Sequence, residues 1–366
     1  MEDIDMAKEA ALQEELSKID VNEKLSACPI DFSRSKVANP RAGQKSKDYV
    51  SGETKSNFND RKKFQPYQEP QFNQLFTDGT LPVEANRYRL IWSRHCPWAN
   101  RLAIAIDLLG LDNVISKGVV DPLRPAGVVG DWFFTLDDDD EDPVLHTKSL
   151  SESYLKADPN YTLRTTVPAL VDVKTGKVVN NNYNTLIDEF SIAWQRYQDE
   201  DVPDLYPEEL REDIDALNKI IYTDVNTAVN EAGLARSQVD YEKYYNRVFN
   251  RLDWLEGRLS KQRYLFGSTI TDTDIRLYVT LARFDVVFYQ KYYVNKKRLV
   301  DYPNLWNYTK DLYSLPAFKN NTDFDAIKKR FYQVDHTPQF DLPRIIPNGP
   351  DLSIWTAPND RNRFEA

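Results

Sequence analysis

The sequence predicts an α/β domain built on a small sheet, followed by an all-helical domain, with a long extension at each end. Three observations carry this. Between residues 88 and 198, short apolar runs alternate with segments of helical period. The stretch DEDVPDLYP at 199–207 is rich in Pro and Asp and reads as a linker. Beyond it, apolar residues recur almost throughout with the helical period. The boundaries follow: 1–82 an N-terminal extension, mostly coil; 83–198 the α/β domain; 199–330 the helical domain; 331–366 a C-terminal extension.

The extension at 1–82 opens with a short helical pattern and then turns polar and weakly periodic. Phe64, Tyr67 and Phe72 are expected to anchor it on the body, and Cys28, in SACPI, reads as a stray thiol. YRLIWS (88–93) predicts a strand, and WANRLAIAIDLLGL a helix with Leu102, Ala105, Ile106 and Leu109 on one side. VISKGVV (114–120) is a second strand. An insertion at 121–148 holds GDWFF and the run DDDDED; that run lacks the alternating ligands and central Gly of a calcium loop and is expected to be solvated. SLSESYLKAD predicts a short helix, TTVPALVDV and GKVVNN a hairpin around Thr175-Gly176, and YNTLIDEFSIAWQRY a closing helix. This order is that of a thioredoxin-type domain. Further helices are predicted over 208–232, 239–260, 271–293 and 303–315. Thr271 and Asp274 form a capping signature for the third of these, with Ile270 and Ile275 as its staple. From Phe331 the chain becomes Pro-rich and is expected to wrap back.

Composition narrows the functional classes. The chain has 366 residues, 41% of them apolar, enough for a sizeable core. Its net charge of −10 argues against nucleic acid as a partner, because neutralising phosphates needs clustered Lys and Arg. No apolar run has the length of a membrane span, and the acidic first residues do not read as a signal peptide. Two cysteines, Cys28 and Cys96, exclude a disulfide framework. The expectation is a cytoplasmic protein. His95, His146 and His336 are too scattered to suggest a metal site, and no metal is expected.

SRHCPWANR at 93–101 is the motif that points to chemistry. Cys96 ends a strand and opens a helix, and Pro97, lacking an N–H, suits the first helical turn. Free N–H groups and the helix dipole at that point favour an anion, and Arg94 and Arg101 add positive charge in sequence. Such a site lowers a thiol pKa and populates the thiolate. Position 99 is Ala, so there is no second cysteine to resolve a mixed disulfide. Regeneration must come from an external small thiol, glutathione being the common one. The alternative is a buried structural cysteine. Val167-Pro168 before a strand favours catalysis, since in thioredoxin-type folds that proline is cis, faces the cysteine, and lets the backbone pair with a thiol peptide. His95 adjoins the cysteine, but strand alternation tends to point it away.

In motif order the chain resembles the Xi-class glutathione transferases, the glutathionyl-hydroquinone reductases. The matching motifs are CPWA at 96–99, Trp132 within GDWFF, RTTVP at 164–168 and VVNN at 178–181. RYLFG at 263–267, DIRLYVTLARFD at 274–285 and NKKRLVDYPNLWNY at 295–308 follow. The resemblance implies the glutathione-transferase architecture, a Cys96 nucleophile, a glutathione contact at Trp132, and a loop of Arg164, Thr165, Thr166 and Val167 that meets the glutathione backbone. It also implies a homodimer through the helical domain. A surplus of aromatic residues there, Phe284, Phe288, Tyr289, Tyr292, Tyr293, Trp306 and Tyr308, offers a physical motive for pairing, unless the extensions cover them.

The family's pattern then breaks. Where it carries a glutamate-serine pair for the γ-glutamyl end of glutathione, this chain has Asn182 and Tyr183. Where it uses three tyrosine hydroxyls on the substrate side, this chain has Asn230, Phe288 and Phe331. The expected function is a cysteine-dependent thiol transferase or reductase acting on thioether or mixed-disulfide substrates that are aromatic or electrophilic. Glutathione or a related small thiol is its co-substrate. The alternatives are the same chemistry with another low-molecular-weight thiol, or a non-catalytic binding protein on this fold.

Overall fold

β1 (Tyr88–Trp92) is buried along its whole length and lies inside the sheet. β2 (Ile115–Val119) pairs with it in parallel on one side, and β3 (Ala169–Asp172) antiparallel on the other. β4 (Lys177–Asn180) joins β3 antiparallel, giving the order β2-β1-β3-β4. The computed structural model describes residues 71–124, 130–333 and 345–364. α1 (Pro97–Leu108) crosses from β1 to β2, α2 (Leu150–Ala157) precedes β3, and α3 (Leu186–Ala193) follows β4. This is the thioredoxin-type order expected from the sequence. The β3–β4 turn is closed by Asp172, whose carbonyl accepts from the N–H groups of Thr175 (3.2 Å) and Gly176 (2.7 Å). Gly176 has φ +66°, a conformation that disfavours a side chain.

The acidic run is not wholly solvated. Asp142 is fully buried, accepts from Arg89 Nε (3.0 Å) and Nη2 (2.9 Å), and takes the N–H groups of Val144 and Leu145. Arg89 sits on β1, so one charge of the run ties the insertion to the centre of the sheet. A row of like charges does not reveal which one meets an internal cation.

The helical domain is organised around α7 (Asp272–Arg283), every residue of which is buried. Its start is the predicted cap: the Asp274 carboxylate accepts from the Thr271 N–H (2.9 Å) and hydroxyl (3.0 Å). Around it lie α4 (Arg211–Ile221), α5 (Ala228–Leu234), α6 (Gln238–Leu259), α8 (Pro303–Ser314), α9 (Pro316–Lys319) and α10 (Phe324–Lys328). The helices expected over 208–232 and 271–293 are each interrupted by a wide turn, at Tyr222–Asn226 and Phe284–Phe288. There the Thr227 N–H reaches back five residues to Tyr222 O (2.9 Å), and the Tyr289 N–H to Phe284 O. A third wide turn spans Lys329–Gln333. Each inserts one residue into a helix, which re-aims side chains and is common at functional sites.

Both extensions are fastened where they are described. Phe72 packs against the rings of Tyr154 (5.5 Å) and Tyr161 (5.8 Å), and Glu189 accepts from the N–H groups of Phe76 (2.5 Å) and Thr77 (2.9 Å). Cys28, Phe64 and Tyr67 lie outside the described residues. At the other end Trp355 packs on Trp306 (5.0 Å), Tyr313 (5.2 Å) and Phe324 (4.9 Å). Arg361, fully buried, donates to the carbonyls of Leu259, Gln262 and Arg263. Of the aromatics that seemed surplus, Phe284, Phe288, Tyr292 and Tyr308 are buried, Tyr289 and Trp306 are half-buried, and Tyr293 is 65% exposed. The C-terminal segment covers Trp306, so these rings no longer require a second copy to shield them.

Candidate active site

Cys96 is the N-cap of α1, with extended backbone (φ −76°, ψ 116°) and Pro97 as the first helical residue. Its N–H donates to Ser93 O (2.9 Å) and its carbonyl accepts the Asn100 N–H (2.9 Å), so the strand-to-helix corner is locked on both sides. The thiol is buried, and Sγ lies 3.8 Å from the carbonyl oxygen of Val167. The Val167–Pro168 bond is cis. Helix N-terminus and cis-proline loop therefore meet at the sulfur, as the sequence motifs imply.

The 164–167 loop is held from behind. The Thr165 N–H donates to Gly130 O (2.8 Å) and its hydroxyl to Asp131 Oδ1 (3.0 Å). Asp131 also accepts the N–H of Ser151, and burial raises its pKa. The Thr166 carbonyl accepts the Tyr154 hydroxyl (2.9 Å), and the Arg164 carbonyl that of Tyr161 (2.9 Å). The loop's orientation thus rests on two buried tyrosines and one buried aspartate, which leaves the Val167 edge beside the cysteine.

Positive charge surrounds this corner. The Trp132 ring lies against His95 (5.3 Å), with the guanidinium of Arg124 3.9 Å and that of Arg330 5.3 Å from its centre. His95 is buried, its Nδ1 2.8 Å from Ser93 Oγ. Burial, then Arg330, Arg283 and Arg124, push its pKa well below the usual value, so the imidazole is neutral at pH 7. The cations that adjoin Cys96 in sequence are occupied elsewhere. Arg94 approaches Asp323 (4.0 Å) and donates to Asn320 O. Arg101 runs beneath Trp98 (4.6 Å) and donates to Asn226 Oδ1 (2.6 Å) across the domain boundary. Burial pulls its guanidinium down to about 9. A cation from far along the chain also reaches this corner: Arg283, at the end of α7 and missed by sequence reasoning, interacts electrostatically with Cys96 and donates to His95 O (3.1 Å). It is 187 residues away in sequence, inside an apolar-patterned helix, and only its place among buried positions marks it.

A family model described as "Glutathione S-transferase, C-terminal domain" matches residues 238–311. The glutathionyl-hydroquinone reductase YqjG of Escherichia coli is 37% identical over 71% of this chain and 78% of its own length. Its glutathione-bound structure superimposes with a TM-score of 0.70, covering 76% of this chain and 89% of that one, at 36% identity. A glutathione transferase from Gordonia bronchialis is 42% identical with a TM-score of 0.75, over 81% of this chain and 91% of that one. The Xi transferase of Phanerochaete chrysosporium is 37% identical with a TM-score of 0.71, over 79% and 97%. The chain belongs to the Xi-class glutathione transferases, the family of the glutathionyl-hydroquinone reductases. It is an enzyme of the glutathione-transferase type.

Two features of this Xi-class chain depart from its family's pattern. Asn182 turns its amide to Asn73 Oδ1 (3.0 Å), and its own oxygen accepts the Asn184 N–H (3.1 Å). Tyr183 is buried, stacks on Trp98 (5.1 Å), and places its hydroxyl 3.3 Å from that of Tyr222. The motif's tryptophan is thereby wedged between domains. Of the residues expected on the substrate side, Phe288 and Phe331 meet edge to face (6.0 Å), and Tyr292 touches both (5.7 and 6.0 Å). Asn230 instead spends its amide on Asn226 O (3.0 Å) within the helix, so its hydrogen bond is local. Phe288 and Phe331 each sit in a wide turn. Tyr292 brings a hydroxyl into their cluster. Among the described residues no helix is long and apolar enough to cross a membrane.

The neutral His95 gives a pH signature. Its folded pKa lies below the ordinary 6.5, so the unfolded chain binds the extra proton. The stability it contributes is complete above about pH 6.5 and is lost as pH falls below that value toward the folded pKa. Urea unfolding between pH 7.5 and 5.5 is expected to show stability declining by up to about 1.4 kcal/mol per pH unit from this group. His95→Gln should remove that component; an unchanged slope would contradict the assignment.

Proposed function

We propose that this chain is a cysteine-dependent thiol reductase of the glutathionyl-hydroquinone reductase type, with Cys96 as nucleophile and glutathione as co-substrate. The observation that carries the reading is the Cys96 sulfur at the N-terminus of α1, 3.8 Å from the Val167 carbonyl that precedes the cis-proline. A thiolate there is favoured by the helix dipole and by the surrounding arginines. The Val167 backbone is disposed to pair with the extended peptide of glutathione, in the manner of an added strand. Trp132 and the Arg164, Thr165 and Thr166 segment would flank that peptide.

In the reaction, the Cys96 thiolate attacks the sulfur of a glutathionyl thioether on an aromatic ring. A sulfur–sulfur bond forms and the carbon–sulfur bond breaks. Its electron pair passes to the ring carbon, which takes a proton and relaxes to the hydroquinone. A second glutathione thiolate then attacks the mixed disulfide, releasing glutathione disulfide and the Cys96 thiolate. Neither Phe288 nor Phe331 can supply the proton. Tyr292, in contact with both rings, is the proposed donor in their place.

A second reading keeps the chemistry and changes the thiol. Asn182, bonded to Asn73, and Tyr183, stacked on Trp98, put no carboxylate where the family holds the γ-glutamyl ammonium. The expectation of a non-catalytic binding protein is set aside, since the chain is an enzyme of the glutathione-transferase type. A cytoplasmic homodimer paired through the helical domain completes the proposal.

Steady-state reduction of a glutathionyl-hydroquinone is expected to vanish in Cys96→Ala and persist in Cys28→Ala. Activity in the Cys96 variant would sink the nucleophile assignment. Glutathione is expected to bind weakly, and Asn182→Glu to tighten it roughly ten- to a hundredfold, the range of a charge-assisted contact. Asn182→Glu is a cleaner test than changing Tyr183, whose ring supports Trp98. A calorimetric titration showing no gain would mean the ammonium is held elsewhere. Light scattering at micromolar concentration should give about twice 42.6 kDa, and a value near 42.6 kDa would contradict pairing.

A further inference from the structure

We propose that Arg283 of the helical domain is a positioning residue for the reaction: it clamps the Cys96 loop and supplies the fixed positive charge against which the Cys96 thiolate forms. The inference rests on Cys96 being the working nucleophile.

The guanidinium is fully buried, and its partners on the loop before Cys96 are both main-chain carbonyls. Nε donates to His95 O (3.1 Å) and Nη2 to Arg94 O (3.4 Å). The same fork reaches Asn100 Oδ1 on the first turn of α1, from Nη1 (3.4 Å) and Nη2 (3.3 Å), and Nη1 also donates to Val279 O (2.6 Å). One side chain thus grips the residues on both sides of the cysteine, and it comes from the other domain. A planar fork with five N–H groups suits this task; an ammonium does not.

The charge balance is unusual. Among the described residues every hydrogen-bond acceptor of Arg283 is a neutral oxygen, and a buried cation without a carboxylate is costly. Burial pulls the guanidinium down to about 10; the groups that oppose this pull are the Cys96 thiolate and then the Tyr278 hydroxyl. A thiolate formed at Cys96 would supply the anion that the hydrogen-bond partners of Arg283 lack. The other charges near this corner have contacts of their own. Arg124 and Arg330 stand over Trp132 and face His95; His95 is neutral; Arg94 turns to Asp323; Arg101 turns to Asn226. Arg164 belongs to the loop opposite, where it acts on Tyr154. Docking of α7 against α1 thus brings a fixed positive charge from the helical domain to the cysteine loop.

The test measures the apparent pKa of Cys96 from the pH dependence of iodoacetamide alkylation, read by mass spectrometry on the Cys96 peptide in a Cys28→Ala background. It needs no glutathione and no substrate. A raised pKa in the Arg283 variants together with an inactive parent enzyme would therefore fault the proposed function and leave the charge assignment standing. Arg283→Met, an apolar replacement of similar length, is expected to raise the apparent pKa by about one unit, a tenfold fall in the acid dissociation constant of the thiol. Arg283→Lys keeps a charge but not the fork, and is expected to fall between parent and Met. It also serves if the Met variant does not fold, since its pKa must still rise above the parent's. A folded Met variant, or in its absence a folded Lys variant, with the parent's pKa overturns the proposal and leaves Arg283 a structural clamp.

Discussion

The contact between α1 and α7 is the constraint on which the rest of this molecule depends. α1 presents the cysteine and belongs to the sheet domain; α7 is the buried axis of the helical domain. Their junction is polar. Arg283 holds the carbonyls of Arg94 and His95, Asn100 donates to Asn321 O (2.8 Å), and Arg101 reaches Asn226. Buried polar junctions add little stability, because desolvation offsets most of what the bonds return. They do define one relative placement, since a shifted docking would leave several buried donors unmet. That placement sets where the sulfur stands relative to the aromatic cluster of the helical domain.

The aromatic cluster of the helical domain differs in kind from the surroundings of Cys96. Around Cys96 the family's motif is kept and its supports are rigid: Asp131, Tyr154 and Tyr161 fasten the loop, and Asp142 ties the insertion to β1 through Arg89. Phe288, Phe331 and Tyr292 pack on one another rather than standing apart as separate donors. Rings of this kind favour a flat, apolar partner through offset and edge contacts. The wide turns at Phe284–Phe288 and Lys329–Gln333 hold two of these three rings.

Much of this was legible in the sequence, for physical reasons. The strands around Leu90 and Leu170 are short apolar runs, and α1 follows its strand with Pro97 as a start signal, so the sheet domain and the place of Cys96 could be read locally. The cap at Thr271 and Asp274 was equally local. Arg283 could not be read, because its partners are almost two hundred residues away in sequence and its own helix reads as apolar. Arg94 and Arg101 drew the charge argument by adjacency, whereas the fold sends both elsewhere. The wide turns were invisible, since one inserted residue barely disturbs an apolar period. Asp142 was hidden among its neighbours for the same reason that no single charge in a run stands out.

The central claim is that Cys96 cycles through a mixed disulfide with a small thiol. The most direct measurement is peptide mass spectrometry of the Cys28→Ala protein after exposure to glutathione disulfide and acid trapping. The account predicts a single glutathionyl group on the peptide containing Cys96, removed by excess reduced glutathione. A folded protein whose Cys96 peptide stays unmodified, or whose adduct resists reduced glutathione, would contradict it.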